Sequence, residues 1–318
     1  MSPQDWQTAS GLTAGRRWHA RLTVLALALT PAIRGMIWMA IAGLVFTFLN
    51  TIMKYMSASL APMQIGFLRY ACGLLVLLPL VLRAGLASYA TNRFSVQIWR
   101  GLTHTAGMLL WFSALPHIPL ADNVAIGFTT PIFIMLGASL VLGEKAVLAR
   151  WIAAIIGFMG VLIVVAPSWS APSSSGGGGF WQLVMLGASP LFAIAFLIAK
   201  SLTRHDRVEV IVVWQAITVT LFLFPFALLD WRWPSGTEWA LLAFCGAFGS
   251  LGHYCNTRAL RATDASATQS IKFVELIWAS LAGIAVFGDY PAQTTMAGGF
   301  VIFLSTTWIA RREARQRL

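Results

Sequence analysis

Two charged side chains stand where a bilayer would exclude them. Lys272 and Glu275 lie near the middle of residues 264–287, a stretch long and apolar enough to cross a membrane as a helix. A charge at the centre of such a helix costs about 2.5–3.5 kcal/mol even on the milder insertion scales. Charges kept at that cost are paired or used. Thr268, Lys272, Glu275, Ala279 and Gly283 follow one another at spacings of 4, 3, 4 and 4 and share one helical face. Lys272 and Glu275 can meet at i,i+3. They read either as the polar lining of a cavity or as a structural ion pair, and the spacing alone leaves both open. Gln269 and Trp278 flank the same face and join the candidate ligand-binding residues.

Other segments offer similar groups. His104, Gly107 and Trp111 share a helical face, as do Gly249, His253 and Asn256. Histidine and asparagine donate and accept hydrogen bonds, while Trp111, Trp278 and Tyr254 can stack on a planar or amphipathic ligand. A lone histidine in an apolar helix is equally a satisfied packing residue. In residues 120–142, Asn123, Gly127, Thr130, Ile134 and Ala138 repeat the spacing of the Lys272 face, with Pro131 among them. Proline removes one backbone N–H and leaves the Gly127 carbonyl without its usual partner. Such a carbonyl is tolerated at depth only beside protein or a wet cavity. Arg69 has two readings, an anchor for an anionic group or a structural and gating residue. Asn50 and Gln215 are polar positions of low specificity, and Pro190 marks a further helix break.

The elements that must position these residues follow from composition. Of 318 residues, 58% are hydrophobic and 10% charged. A soluble surface needs about 25% charged residues, so the chain reads as an integral membrane protein. Ten membrane-length segments are expected, at 36–55, 63–82, 97–115, 120–142, 147–166, 180–200, 208–229, 238–260, 264–287 and 291–310. Residues 1–35 precede them as a cytoplasmic leader. Its apolar run, Leu22 to Ile33, is too short to span a core of about 30 Å at 1.5 Å per residue. Residues 167–179 (PSWSAPSSSGGGG) read as a flexible periplasmic linker between 36–166 and 180–310, and 311–318 as a basic tail.

Charge supports that count. With both termini in the cytoplasm, 18 of the 22 Lys and Arg fall on the inner side. Lys54 and Arg232 fall outside, and Arg69 and Lys272 within helices. This is the positive-inside asymmetry, and it explains the net charge of +11 through orientation and anionic lipid, without nucleic acid. Cys72, Cys245 and Cys255 sit in apolar segments with no metal or disulfide spacing.

The halves are also copies. A shift of 145 residues, without a gap, brings Gly101 onto Gly246, Gly107 onto Gly252 and Ala114-Leu115 onto Ala259-Leu260. His104 falls on Gly249 and Trp111 on Asn256. Five segments per copy place the second copy upside down, an inverted repeat of the kind that secondary transporters use.

No phosphate-binding Gly-Lys-Ser/Thr loop, His-Glu-x-x-His, Gly-x-Ser-x-Gly or Cys/His cluster occurs, so no catalytic residue, metal or cofactor is expected and an enzyme is disfavoured. Thr130-Pro131-Ile-Phe-Ile-Met-Leu-Gly-Ala-Ser-Leu-Val-Leu-Gly-Glu144 and Glu275-Leu-Ile-Trp-Ala-Ser-Leu-Ala-Gly-Ile-Ala-Val-Phe-Gly-Asp289 resemble the two halves of EamA-type permeases of the drug/metabolite transporter superfamily. The resemblance covers residues 36–310. It implies an all-α membrane protein of ten helices and a central cavity between the halves. Leu276 stands where many members have proline, so the expectation there is a helix without the matching kink. Asp289 replaces a usual glutamate.

The combined expectation is an inner-membrane secondary transporter working by alternating access. The first choice of cargo is an amino acid or related metabolite moved outward, with uptake next and a non-transporting scaffold as the alternative class. His104, Trp111, Thr130, His253, Tyr254, Asn256, Gln269, Lys272, Glu275 and Trp278 are the expected substrate residues. Glu275 and Arg69 are expected to couple or gate. Proton coupling and a homodimer are left open.

Overall fold

A computed structural model describes residues 30–114, 117, 126–127, 129–143, 148–170, 180–272, 274–287 and 293–315. Among these the chain is helical throughout: α1 (Pro31–Met56), α2 (Pro62–Ala84), a 3-10 turn (Leu86–Tyr89), α3 (Phe94–Ala114), α4 (Thr130–Val141), α5 (Leu148–Ser170), α6 (Phe180–Leu202), α7 (Val208–Ala227), α8 (Gly236–Ala262), α9 (Ala265–Lys272), α10 (Glu275–Phe287) and α11 (Gln293–Arg315). Residues 171–179 of the expected linker and Asn123 lie outside the described residues.

Local chemistry sets the starts. Pro31 and Pro62 open α1 and α2, where a missing N–H costs nothing, and the Thr30 hydroxyl accepts the Ile33 N–H. Ser235 and Glu238 form a reciprocal capping box on α8. Among the described residues, α1, α2, α7 and Leu183–Leu202 of α6 are long and apolar enough to cross a membrane. The bundle carries its apolar side outward: Leu75 is 64% exposed, Leu140 75% and Leu221 62%. A water-soluble surface does not hold so many, whereas lipid suits them.

One expected helix is two. Residues 264–287 divide into α9 and α10 at a turn on Val274, where the Val274 N–H bonds the Ile271 carbonyl and the Ile277 N–H the Val274 carbonyl. The first copy has the same turn at Thr129: its N–H bonds the Ile126 carbonyl, and the Ile132 N–H bonds the Thr129 carbonyl. Each of these positions maps onto its counterpart under the 145-residue shift. Pro131 therefore sits in the first turn of α4 rather than mid-helix. Leu276 does not abolish the break, contrary to the expectation from its sequence. Tightened i−3 bonds carry the turn in both copies, so proline is not its cause.

The copies pack through each other. α8 lies along α1 and α2, α3 along α6 and α7, α2 against α7, and α5 against α11. A Cβ on Gly246 of α8 would come within 2.5 Å of the Gly73 backbone nitrogen in α2. The shifted pair is Gly101 of α3 and Thr218 of α7, and there too a Cβ on the glycine would overlap its partner. Gly252 receives the Phe46 ring and Gly107 the Phe192 ring.

Two apolar clusters pack the bundle, one toward each end. Leu49, Ile65, Leu68, Phe112, Leu223 and Leu242 fill the end where α1 finishes and α2 and α8 begin. Met39, Ile134, Ala193, Phe196, Leu260 and Ala265 fill the other.

Candidate functional site

Between these clusters lies a cavity of about 240 Å³. Both halves of the chain line it. Phe46 and Asn50 come from α1, Arg69 from α2, Thr130 from α4, Phe192 and Phe196 from α6, Gln215 from α7, and His253 and Asn256 from α8. Helix α3 contributes Arg100, His104 and Trp111, spaced so that one face looks inward.

Tyr70 of α2 is the hub of the wall. Its hydroxyl lies 2.8 Å from Nε2 of His104 and 2.8 Å from Nε2 of His253. A phenol has one proton, so it donates to one ring and accepts from the other. Two neutral histidines held this way carry opposite tautomers. The rings are fixed by aromatic neighbours from the opposite half: Phe46 meets His253 edge-on at 5.1 Å, and Phe192 meets His104 at 5.4 Å. The Tyr70 and His253 rings stack at 5.6 Å.

Two arginines border this chain. The Arg69 guanidinium lies 4.2 Å over the Tyr70 ring. Arg100 is 4% exposed; its Nη1 donates to the Ile211 carbonyl at 2.8 Å and its Nη2 to the Gln215 side-chain oxygen. By sequence, Arg100 belongs with the inner-side loop charges. Instead it lies about two turns into α3 and ties that helix to α7.

The structure brings His104, Trp111, Thr130, His253, Asn256 and Arg69 to one cavity. Tyr254, Gln269, Glu275 and Trp278 are not among the described residues that line it. Tyr254 packs edge-on against Trp38 at 6.4 Å, with Arg258 5.8 Å from its ring. Gln269 is fully buried and bonds back to the Ala265 carbonyl and the Thr268 hydroxyl. Glu275 is half-buried and packs at Gly43 of α1, where a Cβ would lie 3.7 Å from its own. Trp278 is half-buried with its indole N–H enclosed. The Lys272 side chain lies outside the described residues. At the turn on Val274 the chain passes from α9 to α10, so the spacing from Thr268 to Gly283 no longer runs along one helix.

Sequence reasoning missed Tyr70 and Arg100. A signal existed for Tyr70, since the 145-residue shift carries it onto Gln215, and both positions border the arginines.

Hydrogen bonds between the halves hold both bundle ends. At one, Glu238 accepts from the Ser59 hydroxyl and the Arg232 guanidinium, and Gln64 bonds the Arg232 backbone. At the other, Asp206 accepts from Thr91 and Gln97 across the halves, and within the second half the Lys200 ammonium donates to the Leu260 and Thr263 carbonyls at 2.7 and 2.6 Å.

The sequence matches the EamA-like transporter family twice, over residues 33–166 and 179–311. The chain belongs to this family. It is similar to the riboflavin transporter of Vibrio cholerae, with 31% identity over 294 residues, 90% of this chain and 97% of that protein. It is also similar to the S-adenosylmethionine uptake transporter of Rickettsia prowazekii, at 27% over 91% of this chain and 96% of that one. The pseudopaline exporter of Pseudomonas aeruginosa is 28% identical over 87% of this chain and 96% of its own length. A solved crystal structure shares the fold, with a TM-score of 0.71 over 89% of this chain and 98% of its own at 16% identity. As an EamA-like chain, the protein is an all-helical, multi-pass membrane protein of two repeats.

Proposed function

We propose that this EamA-like protein is a secondary transporter that carries a small planar metabolite across the cell inner membrane. Its two five-helix repeats, inverted relative to each other, work by alternating access with both termini in the cytoplasm. The supporting observation is the cavity built jointly by both halves, since a site that two halves share is one that their relative rocking can expose to either side. The cross-half bonds at the two bundle ends are the closures that would open in turn.

The lining suits a flat, hydrogen-bonding ligand better than an amino acid. Phe46, Trp111, Phe192 and Phe196 offer ring surfaces, and Asn50, Gln215 and Asn256 offer amides. Among the described lining residues no carboxylate is present to receive an ammonium group. Uptake is the favoured direction, in line with the uptake relative. Export is the second reading, which the exporter relative supports. We place the proton-carrying group at the Tyr70–His104–His253 chain rather than at Glu275, because that chain lies on the cavity wall and joins the two halves.

The test is flux of labelled riboflavin and a metabolite panel into liposomes holding the purified protein. Saturable uptake that Trp111→Ala lowers supports the proposal. No saturable flux of any compound in either orientation would replace it with a scaffold.

A further inference from the structure

Among the described residues of its wall, the cavity holds two arginines and no carboxylate. Arg69 and Arg100 both line it, 7% and 4% exposed. The two acceptors of Arg100, a backbone carbonyl and an amide oxygen, are neutral. Arg69 rests on the face of Tyr70, and its Nε has no acceptor among the described residues. Among those residues, the carboxylates of Asp264 and Glu238 are engaged by Arg150 and Arg232 at the bundle ends. A void of about 10 Å³ beside Arg69, between α2, α7 and α8, has room for one water at most. One water hydrates a guanidinium but does not neutralise it.

Buried charges are paired or bind an ion. Guanidinium is matched in shape and charge to carboxylate and phosphate, which it binds through two parallel hydrogen bonds. The same cavity presents aromatic faces at Phe46, Trp111 and Phe192. We infer that the site selects a planar aromatic metabolite that bears a carboxylate or phosphate, with Arg69 reading the anionic group. Arg100 holds α3 to α7 and adds to the field. This inference rests on the proposed transport cavity and names its substrate class.

The experiment compares ligands that share a ring and differ in charge: flavin mononucleotide with riboflavin, nicotinate with nicotinamide, and benzoate with benzamide. Thermal stabilisation of the purified full chain reads binding, which raises Tm for the folded state alone. The anionic member of at least one pair is expected to bind about tenfold tighter or more, as a charge-assisted hydrogen bond gives. Arg69→Gln is expected to remove that preference while the protein stays monodisperse, and Arg69→Lys, which keeps charge but loses the fork, to retain part of it. The inference is overturned when the neutral member binds as well in every pair, when no member of any pair shifts Tm, or when Arg69→Gln leaves the preference intact. Anion preference without flux supports the site and sinks the transport reading. Saturable flux with no anion preference does the reverse.

Discussion

His253 of α8 and Tyr70 of α2 meet through a 2.8 Å hydrogen bond and stacked rings, a contact between residues 183 positions apart that joins the second half of the chain to the first. The same hydroxyl reaches His104, so one oxygen fixes both imidazoles. Tyr70→Phe keeps the ring and deletes only that oxygen. A buried ring nitrogen of His253 and a part-buried one of His104 then lose their shared partner, a loss of about 1–3 kcal/mol. The expected outcome is a lower melting temperature and a transport rate reduced by about tenfold or more. With an imposed proton gradient, uptake by the wild type should accelerate; Tyr70→Phe should abolish that acceleration, and Glu275→Gln should not. Arg69 and Arg100 face the same chain and stay in place in both variants. A Glu275→Gln protein that loses gradient response while Tyr70→Phe keeps it would return the coupling role to the carboxylate.

Gly246→Ala tests the close approach of α8 to α2. The new Cβ would meet backbone, which cannot swing aside. Overpacking of this kind costs about 1–3 kcal/mol. Gly236→Ala, in the first turn of the same helix with nothing within 4 Å of its Cβ, is the matched control. Melting curves in detergent should show a clear drop for the first and little change for the second. Equal curves would mean that the two helices are not held at this distance.

These two tests mark where sequence reading succeeded and where it stopped. The glycines were legible because they recur at the 145-residue shift, and close helix packing needs small residues wherever it occurs. Tyr70 was not legible as a hub because its partners come from α3 and α8, and no local pattern states which distant helices converge. Arg100 misled for a related reason: a basic residue near a helix start usually faces inner-leaflet lipid, and only the position of α7 shows that its guanidinium is consumed by Ile211 and Gln215. Lys272 and Glu275 drew attention by their cost in a continuous helix, and the turn at Val274 removes the premise of continuity.

Glu238 gives the bundle end its pH dependence. Helix α8, with 27 residues, is about 40 Å long against a core of about 30 Å, and its first turn carries Glu238 paired to the exposed Arg232, so this end is taken to lie outside the hydrocarbon, shortening the span expected at 238–260. The Ser59 hydroxyl first, then the Ser235 backbone N–H, hold the Glu238 carboxyl down to about 2, with Arg232 adding to the effect. A depressed carboxyl stabilises the folded arrangement fully above the ordinary glutamate value of about 4.3, and the contribution disappears as pH falls through the window toward 2. Proteolysis at the loop between α7 and α8 should therefore accelerate as pH drops across that window. In Glu238→Gln it should be fast at neutral pH already and change less on acidification. A wild-type rate flat from pH 5 to about 2.5 would show that the carboxylate does not hold this end.

Leu276→Pro asks whether the turn at Val274 is built into the fold or imposed by side chains. In an uninterrupted helix spanning 264–287, proline at 276 would lose a hydrogen bond, clash with the preceding turn and cost about 3 kcal/mol or more. In the observed structure Leu276 is the second residue of α10, a place where the ring is tolerated because first-turn N–H groups have no intrahelical acceptor. The shifted position in the first copy, Pro131, already holds proline in the first turn of α4. Leu276→Pro should thus melt within about 0.5 kcal/mol of the wild type, while Leu281→Pro, in the middle of α10, should fail to yield folded protein. If Leu276→Pro is instead as damaging as Leu281→Pro, α9 and α10 form one helix in the membrane. The face from Thr268 through Lys272 and Glu275 to Gly283 would then be restored as a single polar surface.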